Sequence, residues 1–82
     1  MGRAPGFGTL KARRLRRLLE HELGYAVAGN PGGSHRRLTS PGRPPLVFAY
    51  HDNEEIGGWM VRKILVSAGL SVEEAKEVFR RA

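Results

Sequence analysis

The chain has 82 residues, which is enough for one small domain with a thin core. It contains no cysteine, which excludes disulfides and thiolate metal sites, and no apolar run approaches the roughly 20 residues of a membrane span. Fourteen Lys and Arg residues against eight Asp and Glu residues give a formal net charge of +6. This excess favours a polyanionic partner, either nucleic acid or an acidic protein surface. The N-terminus lacks the apolar core of a signal peptide, so we expect a cytoplasmic protein.

The first predicted element is a helix that follows a short tail. Gly and Pro are frequent in residues 1–8, which predicts a flexible tail before a single domain over residues 9–82. Thr9 is the predicted N-cap of the helix, which should end at Leu23. Gly24 suits the left-handed position that follows a helix.

The two faces of this helix differ sharply. Leucines recur at i, i+3, i+4 and i+8 from Leu15, which is the spacing of a buried stripe. Arg13, Arg14 and Arg17 fall on the opposite face. They could bind phosphate groups, or they could form an ordinary solvated helix face, and the sequence favours neither reading.

Three strands are predicted next. Residues 25–28 form the first, and the strong turn signal of residues 30–33 leads into a second strand over residues 34–39. Residues 40–45, rich in Pro and Gly, read as a loop. The apolar, β-favouring run 46–50 is the third strand.

The rest of the chain is helical by pattern. A polar loop over residues 51–58 precedes a second helix over residues 59–68, and a Ser71 to Glu74 capping box opens a short final helix. The order α-β-β-β-α plus a terminal helix predicts a two-layer α+β domain, with a three-stranded antiparallel sheet and the helices on one face.

The best candidate for chemistry is the start of the second strand. His35 follows a glycine-rich turn and precedes two arginines, and an imidazole with an ordinary pKa of about 6.5 suits proton transfer near neutral pH. Strand alternation places His35 and Arg37 on one face and Ser34 and Arg36 on the other. If His35 is catalytic, Arg37 is therefore its natural phosphate partner, and Arg36 is either structural or bound to a neighbouring phosphate.

His51, just after the third strand, is the second candidate for proton transfer; its alternative role is a turn histidine that supports the loop. The neighbouring Asp52, Glu54 and Glu55 are the only clustered carboxylates, and we read them as a solvated turn rather than a metal site. RNA supplies its own nucleophile in the 2′-OH. Its cleavage therefore needs proton transfer and positively charged side chains, but no metal or other cofactor.

Several motifs resemble those of the HicA (YcfA-like) toxins, the small mRNA interferases of type II toxin–antitoxin pairs. Residues 33–35 match the Gly-Ser-His signature of that family, and residues 51–56 resemble its His-x-Asn-x-Glu-aliphatic loop. Residues 62–65, closed by residues 68–71, resemble the ending of its second helix. The resemblance covers roughly residues 9–80.

The resemblance implies a fold like that of double-stranded-RNA-binding domains and metal-independent cleavage of mRNA. It implies that His35 is the catalytic histidine, and that a HicB antitoxin covers the toxin and blocks the active site. No membrane and no small-molecule cofactor are expected. The predicted RNA-binding residues are Ser34, Arg36, Arg37, Arg62 and Lys63.

The chain departs from the family pattern at two places. Leu38 stands where the family usually has an aromatic residue, and residues 57–60 replace a basic-Pro-Gly-Thr segment, which removes an N-cap and a positive charge. Two other functions fit the same charge and fold. The chain could be a non-catalytic double-stranded-RNA-binding module, or it could dock an acidic protein.

Overall fold

The computed structural model describes residues 4–28 and 35–82; Ser34 and the predicted turn over residues 30–33 lie outside this part, as does the side chain of His35. The helices and strands follow one another as β1 (Leu10–Lys11), α1 (Ala12–Leu23), β2 (Ala26–Ala28), β3 (His35–Ser40), β4 (Arg43–Ala49), β5 (Glu55–Ile56), α2 (Gly58–Ser67) and α3 (Val72–Phe79).

The main sheet is antiparallel, with the spatial order β2-β3-β4. Leu38 lies opposite Val27 of β2 and Leu46 of β4, and Arg37 lies opposite Val47. This sheet and the helices form the predicted α+β architecture, which is consistent with a double-stranded-RNA-binding-domain-like fold.

One face of the sheet is covered by the helices and the other is open. Leu38 and Phe48 are at most 1% exposed and pack in the same core as the leucines of α1 and the apolar stripe of α2. Arg37 and Val47 point to the other side, where Val47 is 72% exposed. The strand alternation read from the sequence is therefore confirmed for these residues.

The predicted start of the first helix is wrong. Residues 10–11 form β1, which pairs with β5 so that Leu10 lies opposite Ile56, and the N-cap of α1 is Lys11 rather than Thr9. Lys11 makes no side-chain capping hydrogen bond. The predicted end is confirmed, because Gly24 has the left-handed φ of 73° and its N–H donates to the Leu19 carbonyl.

The predicted loop over residues 40–45 is also wrong in extent. β3 continues to Ser40 and β4 begins at Arg43, so only a short turn separates the two strands, with Gly42 at a φ of 77°. Pro44 and Pro45 belong to the strand, which is possible because β4 pairs on one side only.

Polar side chains attach this hairpin to the ends of two helices. Ser40 Oγ donates to the Leu23 carbonyl at 2.6 Å, and Arg43 Nη1 donates to the Ala68 carbonyl at 3.3 Å. Both acceptors lie at helix C-termini, where carbonyl groups lack partners within the helix. The hairpin therefore helps to terminate α1 and α2.

The predicted capping box of α3 is confirmed, since the Ser71 and Glu74 side chains each accept the other's backbone N–H. For residues 1–8 the sequence predicts a flexible tail. Within the described part of this segment, the Phe7 ring packs 5.7 Å from that of Phe79, and a Cβ on Gly58 would approach the Phe7 carbonyl oxygen to 2.6 Å. The flexibility of the tail stays a prediction.

In the described parts of the chain, no helix is both long enough and apolar enough to cross a membrane.

Candidate functional site

The predicted site lies where β3 begins and β4 ends. The backbone of His35 lies opposite Ala49, the last residue of β4, and His51 follows two residues later. Two residues of extended chain span roughly 7 Å. The chain segments that carry the two histidines are therefore close neighbours at this end of the sheet.

Arg36 lies on the helix-facing side of β3 and takes part in a cluster of charges. Its Nη1 is 3.5 Å from Asp52 Oδ1, and Arg16 of α1 donates a hydrogen bond to the same carboxylate oxygen. Arg16 also lies 3.6 Å from Glu20. Asp52 thus links β3 to α1 across the end of the sheet.

These arginines determine the ionisation of Asp52. The hydrogen bond from Arg16, the charge of Arg16 and the neighbouring Arg36 together hold the pKa of this carboxyl below its usual value. The contact with Arg36 is an ion pair without hydrogen-bond geometry, and Arg36 Nη1 is buried with no hydrogen-bond acceptor among residues 4–28 and 35–82. Arg36 therefore depends on the Asp52 charge to offset its burial.

The loop that carries His51 has a structural task. The Glu54 carbonyl accepts the N–H of Ala12 at 2.8 Å, and the Asp52 carbonyl accepts the N–H of Arg13 at 3.2 Å. The loop is itself closed by the His51 N–H, which donates to Glu54 Oε1 at 2.7 Å. Backbone groups of this loop therefore cap α1, and the His51 side chain remains exposed.

The carboxylates of this loop do not converge as metal ligands. Within the described residues, no group of three or more His, Asp or Glu side chains could hold a metal ion. Asp52 faces two arginines, and the Glu54 side chain closes the loop. The donor set that a metal would need is engaged in structural contacts.

Arg37 has a different environment from Arg36. It lies on the open face of the sheet, is exposed, and forms no ion pair with another residue of the described parts. Its neighbours across the strands are Ala28 and Val47. Arg37 is thus a cation available to a ligand on this face.

The other two predicted RNA-binding residues lie on α2. Lys63 is exposed, with its Nζ 5.2 Å from the centre of the Trp59 ring, and Arg62 is partly buried. Trp59 is 46% exposed, at the first turn of a helix whose N-cap, Gly57, makes no side-chain hydrogen bond. Among the described residues, no hydrogen bond or ion pair joins this group to β3.

Sequence reasoning missed Arg16 and the capping role of the loop. Both depend on contacts between residues far apart in the chain. The sequence contains only an indirect signal for the contact between Arg16 and Asp52. Asp52 is the only Asp in a chain with eleven Arg residues, which favours its pairing with one of them.

Comparison with known protein families found a match that covers the candidate site. The family model described as HicA toxin of bacterial toxin-antitoxin matches residues 12–70, which include all the described contacts of the charge cluster and of the capping loop. The protein is accordingly a toxin of a toxin–antitoxin system, with an antitoxin as its partner. It belongs to the HicA toxin family. No curated protein and no solved structure matches the chain.

Proposed function

We propose that this protein is an endoribonuclease that cleaves mRNA without a metal ion, with His35 as general acid or base. The observation that supports the proposal best is the register of β3 and β4. It sets His35 opposite the last residue of β4, beside the segment that carries His51 and two residues before the exposed Arg37. Two imidazoles and a free cation are the groups that this reaction needs.

In the proposed reaction, one histidine accepts the proton of an RNA 2′-OH, and the 2′-oxygen attacks the adjacent phosphorus. The bond from phosphorus to the 5′-oxygen breaks, and the second histidine donates a proton to that leaving oxygen. The products carry a 2′,3′-cyclic phosphate and a free 5′-OH. We propose His35 for one of these roles and His51 for the other.

The two arginines of β3 have separate proposed roles. Arg37 is exposed on the open face, so it can bind the phosphate whose negative charge grows in the transition state. Arg36 is partly buried and lies 3.5 Å from Asp52 Oδ1. Its contribution to RNA binding is accordingly indirect, through the position of the strand that begins at His35.

The proposed independence from metal rests on the carboxylates. Metal-assisted nucleases use converging carboxylates that are free to bind cations. Here the charge of Asp52 is offset by Arg16 and Arg36.

We further propose that the antitoxin is of the HicB type and covers the open face of the sheet. Val47, 72% exposed, lies opposite Arg37 and offers an apolar contact beside the proposed site. The net charge of +6 favours an acidic partner surface. A protein bound there would exclude RNA from Arg37.

The decisive experiment measures cleavage of single-stranded RNA by the purified chain in the presence of EDTA. We expect 2′,3′-cyclic phosphate ends and no cleavage of the same sequence as DNA. His35→Ala should lower the single-turnover rate at saturating RNA by about 10²–10⁴-fold, because it removes a proton-transfer group. His51→Ala tests the second role in the same way.

His21→Ala is the matched control, since His21 is an exposed histidine on α1 rather than at the end of the sheet. It should leave this rate unchanged, because a rate measured at saturating RNA does not respond to a loss of affinity. A His35→Ala variant that cuts as fast as the parent would show that His35 is not the catalyst. Loss of cleavage in EDTA would refute the metal-free mechanism. RNA that is bound but stays intact would instead identify a binding module without chemistry.

A further inference from the structure

The outer face of α1 carries three arginines without acidic partners. Arg13, Arg14 and Arg17 are all exposed, and the ion pairs found across residues 4–28 and 35–82 involve none of them. By contrast, the structure pairs Arg16 with Asp52 and Arg81 with Glu22. Arg13 and Arg14 are adjacent, and Arg17 follows them by four and three positions. The three charges therefore lie on neighbouring positions of one helix surface.

This arrangement opposes the stability of the helix. The first turn of α1 contains no acidic residue, and Arg13 and Arg14 stand at its N-terminal end, where the helix macrodipole disfavours cations. Arg13 and Arg17 form a like-charged pair at i, i+4, which is also unfavourable. Local stability therefore gives no reason for these residues, whereas a bound polyanion would relieve both repulsions.

The arginines line a cleft of about 380 Å³ between α1 and the end of the described chain, with Glu22 and Arg81 also in its lining. One of the lining arginines also contacts the loop beside the candidate site. Arg13 Nη1 donates to Asn53 Oδ1 at 3.4 Å, and Asn53 is in the loop that carries His51.

We propose that this surface of α1, formed by Arg13, Arg14 and Arg17, binds the phosphate backbone of single-stranded RNA beyond the cleavage position. The inference rests on the proposed function, since it extends the path of the same substrate. Guanidinium groups match phosphate oxygens in charge and in planar hydrogen-bond geometry.

An acidic protein segment fits this surface less well. Protein interfaces usually include an apolar or aromatic centre. Among the described residues, the exposed large hydrophobic side chains are Val27, Val47, Trp59 and Val66, and none of them belongs to α1. The surface offers positive charge but no apolar anchor. Positive charge alone is sufficient to bind a nucleic-acid backbone.

The test compares two double variants that each lose two positive charges. Arg14→Gln with Arg17→Gln removes the proposed contacts, and Lys76→Gln with Arg80→Gln removes charges on α3, where the structure pairs Lys76 with Glu73 and Arg80 with Glu77. The probe is a 2′-O-methylated single-stranded RNA, which cannot be cut through its 2′-oxygen. Its affinity for each full-length chain is measured over a range of salt concentrations.

We expect the α1 variant to bind about tenfold more weakly at physiological salt, and the slope of log K against log salt to fall by roughly 1.4, or about 0.7 for each lost phosphate contact. Its melting temperature should be equal to or higher than that of the parent, because the lost charges oppose the helix dipole. The α3 variant should bind almost as the parent does.

Equal affinities for the two variants would overturn the proposal. So would a loss of binding to poly-glutamate without a loss of binding to RNA, which would identify a surface for an acidic protein. The outcome is separable from the proposed chemistry. If the parent does not cut RNA but only the α1 variant loses binding, the surface stands without the reaction. If the parent cuts RNA and both variants bind alike, the reaction stands without the surface.

Discussion

The helices α1 and α3 begin in opposite ways. At α3, the Ser71 side chain accepts the N–H of Glu74 at 3.1 Å, and the Glu74 carboxylate accepts the N–H of Ser71 at 2.8 Å. Glu73 and Glu74 also place negative charge in the first turn, where the helix dipole favours it. Every group that starts this helix is within four residues of the others.

The start of α1 depends on a distant segment. Its N-cap, Lys11, provides no side-chain hydrogen bond, and backbone carbonyls of Asp52 and Glu54 accept the first N–H groups instead. A helix whose first N–H groups are capped by another part of the fold does not need a capping side chain or an acidic first turn in its own sequence. Its first turn can then carry arginines that a self-capped helix would not tolerate well.

The largest predicted effect is that of Ile56→Ala. Ile56 is 2% exposed, lies opposite Leu10, and anchors the strand that follows the capping loop. We expect the free energy of unfolding to fall by about 2–5 kcal/mol, as for other buried Ile truncations, in urea denaturation. Hydrogen exchange should also accelerate more at the amides of Ala12 and Arg13 than in α3.

Ile64→Ala is the matched control for this prediction, because Ile64 is only partly buried and lies on α2. It should destabilise the protein less and leave the exchange of the Ala12 and Arg13 amides at the parent's ratio to α3. A uniform acceleration in both variants would show that the loop has no separate role in capping α1.

Asp52→Asn tests the side-chain part of the same connection. The Arg16 hydrogen bond and the two arginine charges lower the pKa of Asp52 in the folded state. The ionised carboxylate therefore stabilises the fold above its unfolded pKa of about 4, and this contribution disappears as the pH falls through the lower folded pKa. We expect a smaller effect than that of Ile56→Ala.

Thermal unfolding at several pH values measures this effect. The variant should melt below the parent at neutral pH, and the two melting temperatures should converge as the pH falls well below 4. Glu55→Gln is the control, since Glu55 is exposed and forms no ion pair within the described parts of the chain. A difference for Asp52→Asn that is constant at every pH would contradict the charge explanation.

The smallest predicted effects distinguish the side-chain cap of α3 from the backbone cap that a distant loop provides for α1. Ser71→Ala should lower the free energy of unfolding by about 1 kcal/mol, because it removes a side-chain cap. Thr9→Ala should change it by roughly zero, since Thr9 is exposed and lies outside α1, although the sequence pattern predicts it as the cap. Equal losses in denaturant titrations of the two variants would contradict this distinction.

The same distinction explains how much of the fold the sequence predicts. The capping box of α3, the leucine stripe of α1 and the alternation along the described part of β3 are local patterns, and each is confirmed. β1 and β5 have two residues each, which is too short for any period, and they exist only through their mutual pairing. Pro44 and Pro45 resemble a loop because their tolerance depends on β4 being an edge strand.

The candidate site likewise combines features that follow from a local pattern with features that depend on contacts between distant segments. Alternation along β3 separates Arg36 from Arg37, and the structure agrees. The ion pair of Arg36 with Asp52 could not be predicted, because it depends on where a loop folds back. The roles of His35, His51 and the RNA-binding residues stay predictions that the cleavage experiment addresses.

The distant cap of α1 also affects when this toxin can fold during its synthesis. Arg13 and its loop partner Asn53 are 40 positions apart in the chain. A ribosome therefore makes the arginine-rich helix well before the segment that closes its first turn, and the pairing of β1 with β5 must wait slightly longer. During that interval α1 lacks its cap and keeps its charge repulsions, so the nascent chain should acquire its toxic fold late rather than as the helix emerges.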